Sequence, residues 1–86
     1  MDEAQARARI EELEEETRRL RVDEAAAMSS PDKEVVRADA KRLAAIHVEL
    51  DRLWDYLRQR KAHADAGQDP DDARLRDSGT VEGYLG

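Results

Sequence analysis

The chain has 86 residues and a mass of 9.8 kDa, which limits it to one small domain. Aromatic residues make up 3% and Phe is absent, so a large aromatic core is excluded, while charged residues reach 42% and mean hydropathy is −0.92. Twenty-one acidic against fifteen basic side chains leave a net charge of −6, which repels a polyphosphate and argues against general nucleic-acid affinity.

From Asp2 to Met28 there is no Gly or Pro, and Asp2 followed by Gln5 has the spacing of a capping box, so a first helix is predicted over about 2–28. Its apolar seam runs Ala6, Ile10, Leu13, Thr17 and Leu20 in steps of four and three, is interrupted by Glu24 and resumes at Ala27, the spacing of coiled-coil core positions. On the outer face Glu14 to Arg18 and Glu15 to Arg19 are predicted i to i+4 pairs.

Ser29-Ser30-Pro31-Asp32 is the clear break. Ser30 is a helix cap, Pro31 occupies the first helical position where its missing N–H costs nothing, and Asp32 complements the helix dipole. A second helix is predicted over about 31–66, with Gly67 as the left-handed cap. It is roughly 54 Å long against roughly 40 Å for the first. Its apolar stripe is wide: Val36, Leu43, Leu50, Leu57 and Ala64 at one heptad position, Ile46 and Leu53 three residues on, Ala40, His47 and Trp54 four residues on, with Val35 and Tyr56 on the opposite flank from His47 and Trp54. Asp69-Pro70-Asp71-Asp72 repeats the cap, proline and acid pattern and predicts a short helix over about 70–76, followed by a tail over 77–86 whose apolar grips are Val81, Tyr84 and Leu85.

A connection this short makes the helices antiparallel neighbours, with Thr17 level with Leu43, Leu13 with Ile46 and Ile10 with Leu50. The fold class expected is therefore all-α, a long coiled-coil-like antiparallel helical hairpin. A stripe broad enough to touch two neighbours predicts dimerisation into a four-helix bundle. The partner interface expected from it is Leu43, Ile46, His47, Leu50, Leu53, Trp54 and Leu57. The second helix overhangs the first, and the tail is expected to cover that end, with Val81, Tyr84 and Leu85 turning back toward Trp54 and Leu57 and with Arg58 or Arg60 meeting Asp69, Asp71 or Glu82.

Little here points to chemistry. Cysteine is absent, so there are no disulfides and no thiolate metal sites. His47 and His63 lack the Glu-x-x-His spacing of carboxylate-bridged bundle sites, because Ala44 and Arg60 stand three residues before them. No hydroxyl neighbours a histidine, and there is no Gly-rich phosphate loop. The expectation is a protein that is not an enzyme and uses no cofactor or metal. No apolar run approaches the ~20 residues of a membrane span, and the acidic amino terminus has no secretory-signal pattern, so no membrane is expected and the cytoplasm is the expected compartment.

Two charged clusters stand out. Arg58, Arg60, Lys61 and His63 form a basic run, explained by dipole complementarity and by the nearby acids Asp69, Asp71 and Asp72. Asp23, Glu24, Asp32 and Glu34 gather near the hairpin tip; the pattern resembles transcription factors that carry acids on a coiled-coil tip, although those also need a globular docking domain that this chain has no room for.

The segment Leu50-Asp-Arg-Leu-Trp54-Asp-Tyr-Leu-Arg58-Gln-Arg-Lys-Ala62, then Ala66-Gly-Gln-Asp-Pro70-Asp-Asp-Ala73-Arg74, then Val81-Glu-Gly-Tyr84-Leu85 resembles a family of small uncharacterised actinobacterial proteins carrying a domain of unknown function. That family's pattern is a Trp-Asp-Leu-Leu-Arg-Gln-Arg-Arg-Ala core, a Gly-x-Asp-Pro-Asp turn and a Val-Glu-x-Tyr ending; here Tyr56 stands for Leu and Lys61 for Arg. The resemblance implies a bacterial source and a compact cytoplasmic role, and no activity. Together the residues predict a non-catalytic helical interaction module, homodimeric and presenting a face to another protein. The alternative is a small regulator of transcription or RNA working through the acidic tip or the basic end of the second helix.

Overall fold

The computed structural model describes residues 1–27 and 33–77. Helix α1 spans Glu3–Ala27 and helix α2 spans Lys33–Asp65, packed against each other; among the described residues there is no strand. The caps explain the boundaries. The Asp2 N–H donates to Gln5 Oε1 at 2.9 Å and the Gln5 N–H donates to Asp2 Oδ1 at 2.8 Å, so two free donors of the first turn satisfy each other's residues. At the far end of α2, Gly67 takes φ 73°, the Gln68 N–H donates to the His63 carbonyl at 2.7 Å and the Gly67 N–H to the Ala64 carbonyl at 3.1 Å, which closes the helix on itself. The predicted caps at Ser30 and Pro31 lie outside the described residues.

The core lies in the seam between the helices. Ala6, Ile10 and Leu13 of α1 are buried against Ile46, Leu53, Tyr56 and Leu57 of α2, with Leu20 and Leu50 partly buried beside them. Two ion pairs set the register from outside the seam. Arg9 Nε donates to Glu49 Oε2 at 2.6 Å, and one heptad farther along α1 and one heptad back along α2, Arg42 Nε donates to Glu16 Oε2 at 2.5 Å. Along α1 itself, Arg18 takes Glu15 at i to i+3 rather than Glu14 at i to i+4.

The chain beyond Gly67 differs from its local pattern. Asp69 caps a short turn by accepting the Asp71 N–H at 2.9 Å, but the helical part is Pro70–Asp72 only, a single 3-10 turn, where the sequence pattern predicts helix over 70–76. The reason is tertiary. Ala73 leaves the turn in an extended conformation and is buried in the core, and residues 73–77 run as a strap along α2. The side-chain amide of Gln59 serves the strap as a neighbouring strand would: its Oε1 accepts the Arg74 N–H at 3.1 Å and its Nε2 donates to the Arg74 carbonyl at 2.6 Å. Arg52 Nε then donates to the Arg76 carbonyl at 2.7 Å. A helix over 70–76 would forfeit these bonds. One side of the overhanging end of α2, around Gln59 and Arg60, is thus covered by residues 70–74, while Arg58, Lys61, Ala62 and Ala64 stay exposed.

Among the described residues no helix is long and apolar enough to cross a membrane.

Candidate functional site

An α-helix turns ~100° per residue, so residues at alternating steps of three and four share a face. Helix α2 carries two such seams. One, through Ile46, Leu53 and Tyr56, is buried under α1. The other runs through Val36, Ala40, Leu43, His47, Leu50, Trp54 and Leu57, and α1 covers only its edge: Val36, Leu43 and Leu50 are half-buried, whereas Ala40 and His47 are exposed. Trp54 is 42% exposed, which leaves nearly half of the largest apolar side chain in water. Trp is highly buried on average, so this exposure is unusual for its residue type.

Two shallow grooves mark this open face. One of about 410 Å³ is lined by Trp54, Leu57, Arg58, Arg60, Lys61 and Ala64 of α2, with Glu3 and Arg7 of α1 and Pro70. The second, about 400 Å³, lies one to two turns toward the hairpin tip between Leu43, Ala44, His47 and Leu50, with Thr17 and Arg21 of α1 on its far side.

The residues expected at a partner interface therefore divide. Ile46, Leu53 and Leu57 are buried within the hairpin; Leu43 and Leu50 straddle both seams; His47 and Trp54 face outward. Arg60 sits under the 70–72 turn, its guanidinium 3.0 Å from Asp71 Oδ1 and 5.9 Å from the Tyr56 ring centre. Arg58 is exposed at the groove edge. Val81, Tyr84 and Leu85 lie outside the described residues.

The basic run is largely neutralised. Besides the Arg60 to Asp71 pair, Lys61 Nζ donates to Asp65 Oδ2 at 2.8 Å, and each acid raises the pKa of its cation. His63 Nδ1 is 2.9 Å from Gln68 Oε1. At the tip, Asp23 is exposed and Glu24 half-buried, while Asp32 lies outside the described residues. Among the described residues no three His, Asp or Glu side chains come together as a metal cage.

Several organising residues escape sequence reasoning. Tyr56, placed by the pattern on the flank opposite His47 and Trp54, is buried, and its hydroxyl donates to the Met1 carbonyl at 2.5 Å, tying residue 1 to α2. Its position three residues after Leu53 on the inner seam is the signal that locates it. Asp55 is 2% exposed; it accepts two bonds from the Arg76 guanidinium and one from Gln59 Nε2 at 2.9 Å. The Arg76 hydrogen bonds hold its carboxyl below the usual carboxylate range in spite of burial, and Gln59 adds to the effect. Nothing in the spacing announces that pair, because the partners are twenty-one residues apart.

Comparison with known proteins agrees with the resemblance to an uncharacterised actinobacterial family. A family model described as a protein of unknown function (DUF2630) matches residues 2–86. Uncharacterised proteins of Mycobacterium bovis and of two Mycobacterium tuberculosis strains are each 46% identical over 48 residues, a match covering 56% of this chain and 55% of the relative. The chain thus spans little more than half the length of these relatives. No solved structure matches. The chain belongs to the DUF2630 family of proteins of unknown function, with uncharacterised actinobacterial relatives.

Proposed function

We propose that the chain is a non-catalytic helical interaction module that self-associates through the open seam of α2, two hairpins forming a four-helix bundle with Trp54 as the anchor. The observation that carries this is the second apolar seam at 3–4 spacing, left half in water after α1 and the strap have taken their places. A hairpin only two helices thick can bury one face of α2 against α1; a matching hairpin laid on the other face fills the grooves beside Leu43 and Trp54 by helix-in-groove packing. Buried aromatic anchors dominate such interfaces, which makes Trp54 the residue to truncate.

Sedimentation equilibrium over a dilution series tests it. Wild type is expected at twice 9.8 kDa and Trp54→Ala at 9.8 kDa, with the helical circular dichroism of the variant retained because Trp54 lies outside the hairpin core. A wild-type monomer throughout the series would refute the module as a self-associating one.

A further inference from the structure

The side chains that hold the strap all belong to α2, and together they form a site with a chemistry of its own. Gln59, Asp55 and Arg52 stand at steps of four and three, so they share one face of the helix. Within the strap Gln59 meets backbone only: it accepts the Arg74 N–H at 3.1 Å and donates to the Arg74 carbonyl at 2.6 Å, the pairing an extended residue makes with a neighbouring strand. Asp55 takes the Arg76 side chain through two hydrogen bonds, the one from Nε at 2.9 Å, and Arg52 takes the Arg76 carbonyl at 2.7 Å. Three residues before Arg76, Ala73 is buried in the core, so its position calls for a small side chain. Arg74 and Leu75 are exposed, and the hydrogen bonds of the Arg74 guanidinium stay within the turn and the strap. The face of α2 thus reads a small residue and, three positions on, an arginine, and it does not read the two side chains between them.

The occupant of this face is not part of the helical frame. Residues 73–77 have no regular secondary structure and are fastened by side chains, whereas α2 is anchored to α1 through Ile46, Leu53 and Leu57. Lifting the strap therefore leaves Gln59, Asp55 and Arg52 in place on their helix and opens Asp55 to water. We propose that this face of α2 is a recognition site for an extended small-x-x-Arg segment of a partner protein, and that residues 73–76 are its built-in occupant, which a partner segment of the same pattern displaces. The backbone contact at Gln59 gives affinity and the two-point arginine contact at Asp55 gives specificity, the division of labour of strand-addition sites. Because the strap competes from a short tether, the affinity for a partner segment is scaled by the fraction of molecules with the strap lifted. Asp55 follows Trp54 by one residue, a turn of ~100°, and none of Gln59, Asp55 and Arg52 lines the two grooves of the open seam, so the proposal stands independently of self-association.

Fluorescence anisotropy of a labelled synthetic peptide with the sequence of residues 69–77, titrated with the full chain, tests the assignment. Arg76→Ala loosens the built-in occupant without altering Gln59, Asp55 or Arg52, and its affinity for the peptide is expected to exceed that of wild type by about tenfold or more. Arg76→Lys keeps a cation at Asp55 but loses the two-point geometry, and is expected to fall between the two. Placing Arg76→Ala in the peptide, or adding Asp55→Ala to the Arg76→Ala chain, is expected to abolish binding. Should the Arg76→Ala chain lose its helical circular dichroism, the peptide is expected to restore it and the peptide without that arginine to leave it unchanged. No binding to either chain, equal affinities for wild type and Arg76→Ala, binding that survives loss of the peptide's arginine, or an unfolded variant that the peptide does not restore would each overturn it.

Discussion

Asp55 and Arg76 form a two-point ion pair in which the carboxylate is 2% exposed, and through it residues without regular secondary structure are fastened to the side of a helix. A carboxylate that deep in the fold needs its partner, because removing the cation leaves an uncompensated charge. Arg76→Ala is accordingly expected to destabilise the protein by about 2–3 kcal/mol, discounted from a fully buried pair because Arg76 is partly in water. Urea denaturation reads the loss directly, and a change within about 0.5 kcal/mol would mean the strap is not fastened there.

The same pair gives stability a pH dependence of known sign. Asp55 has a folded pKa lowered by Arg76, so its contribution is fully present above the ordinary aspartate value and is lost as pH falls through the lower folded value. Glu49 beside Arg9 and Glu16 beside Arg42 are lowered in the same direction. Thermal unfolding is expected to hold nearly constant from neutrality down to about pH 5 and to fall below about pH 4. Asp55→Asn should flatten that acid limb while lowering the plateau; an acid limb identical to wild type would remove Asp55 from the account.

Core truncation separates the inner seam from the outer one. Leu13→Ala and Leu53→Ala each empty a site at the centre of the hairpin and are expected to cost about 2–5 kcal/mol. Tyr56→Phe loses the bond donated to the Met1 carbonyl and the longer one accepted from Arg60 Nη1, and about 1 kcal/mol is expected. Equal costs for Leu13→Ala and Val22→Ala would contradict the placement of the core, because Val22 is exposed.

The helix start should respond to its cap. Asp2→Ala removes the acceptor for the Gln5 N–H, and Gln5→Ala removes the reciprocal bond. Each is expected to cost about 0.5–2 kcal/mol, and the double variant less than their sum, since the two bonds form one unit. Strict additivity would mean the two bonds act separately.

Local signals are legible in the sequence because they act over one turn. Asp2 with Gln5, Gly67, and Asp69 with Pro70 each mark a boundary with chemistry confined to four residues, and the pairing of the Leu13 and Ile46 seams is set by apolar spacing and a short connection. The pairs Arg9 to Glu49 and Glu16 to Arg42 are less legible. They depend on which charges flank the seam once the helices have rotated, and many candidates flank it. Residues 73–77 depart from their local pattern for a related reason. Ala73, Arg74, Leu75 and Arg76 suit a helix locally, and it is partners on another element, Gln59, Asp55 and Arg52, that draw them into an extended path. Tyr56 and Trp54, two residues apart, show the limit of stripe counting. Both are aromatic on the same helix, yet one closes the core and the other faces water, a choice made by where α1 lies.

Whether the open seam of α2 takes a second copy of the chain, as proposed, is decided by sedimentation equilibrium from low to high micromolar protein. A concentration-dependent mass rising to twice 9.8 kDa, abolished by Trp54→Ala without loss of helicity, is the predicted result. A constant 9.8 kDa at every concentration, with tryptophan fluorescence unchanged across the series, would contradict it.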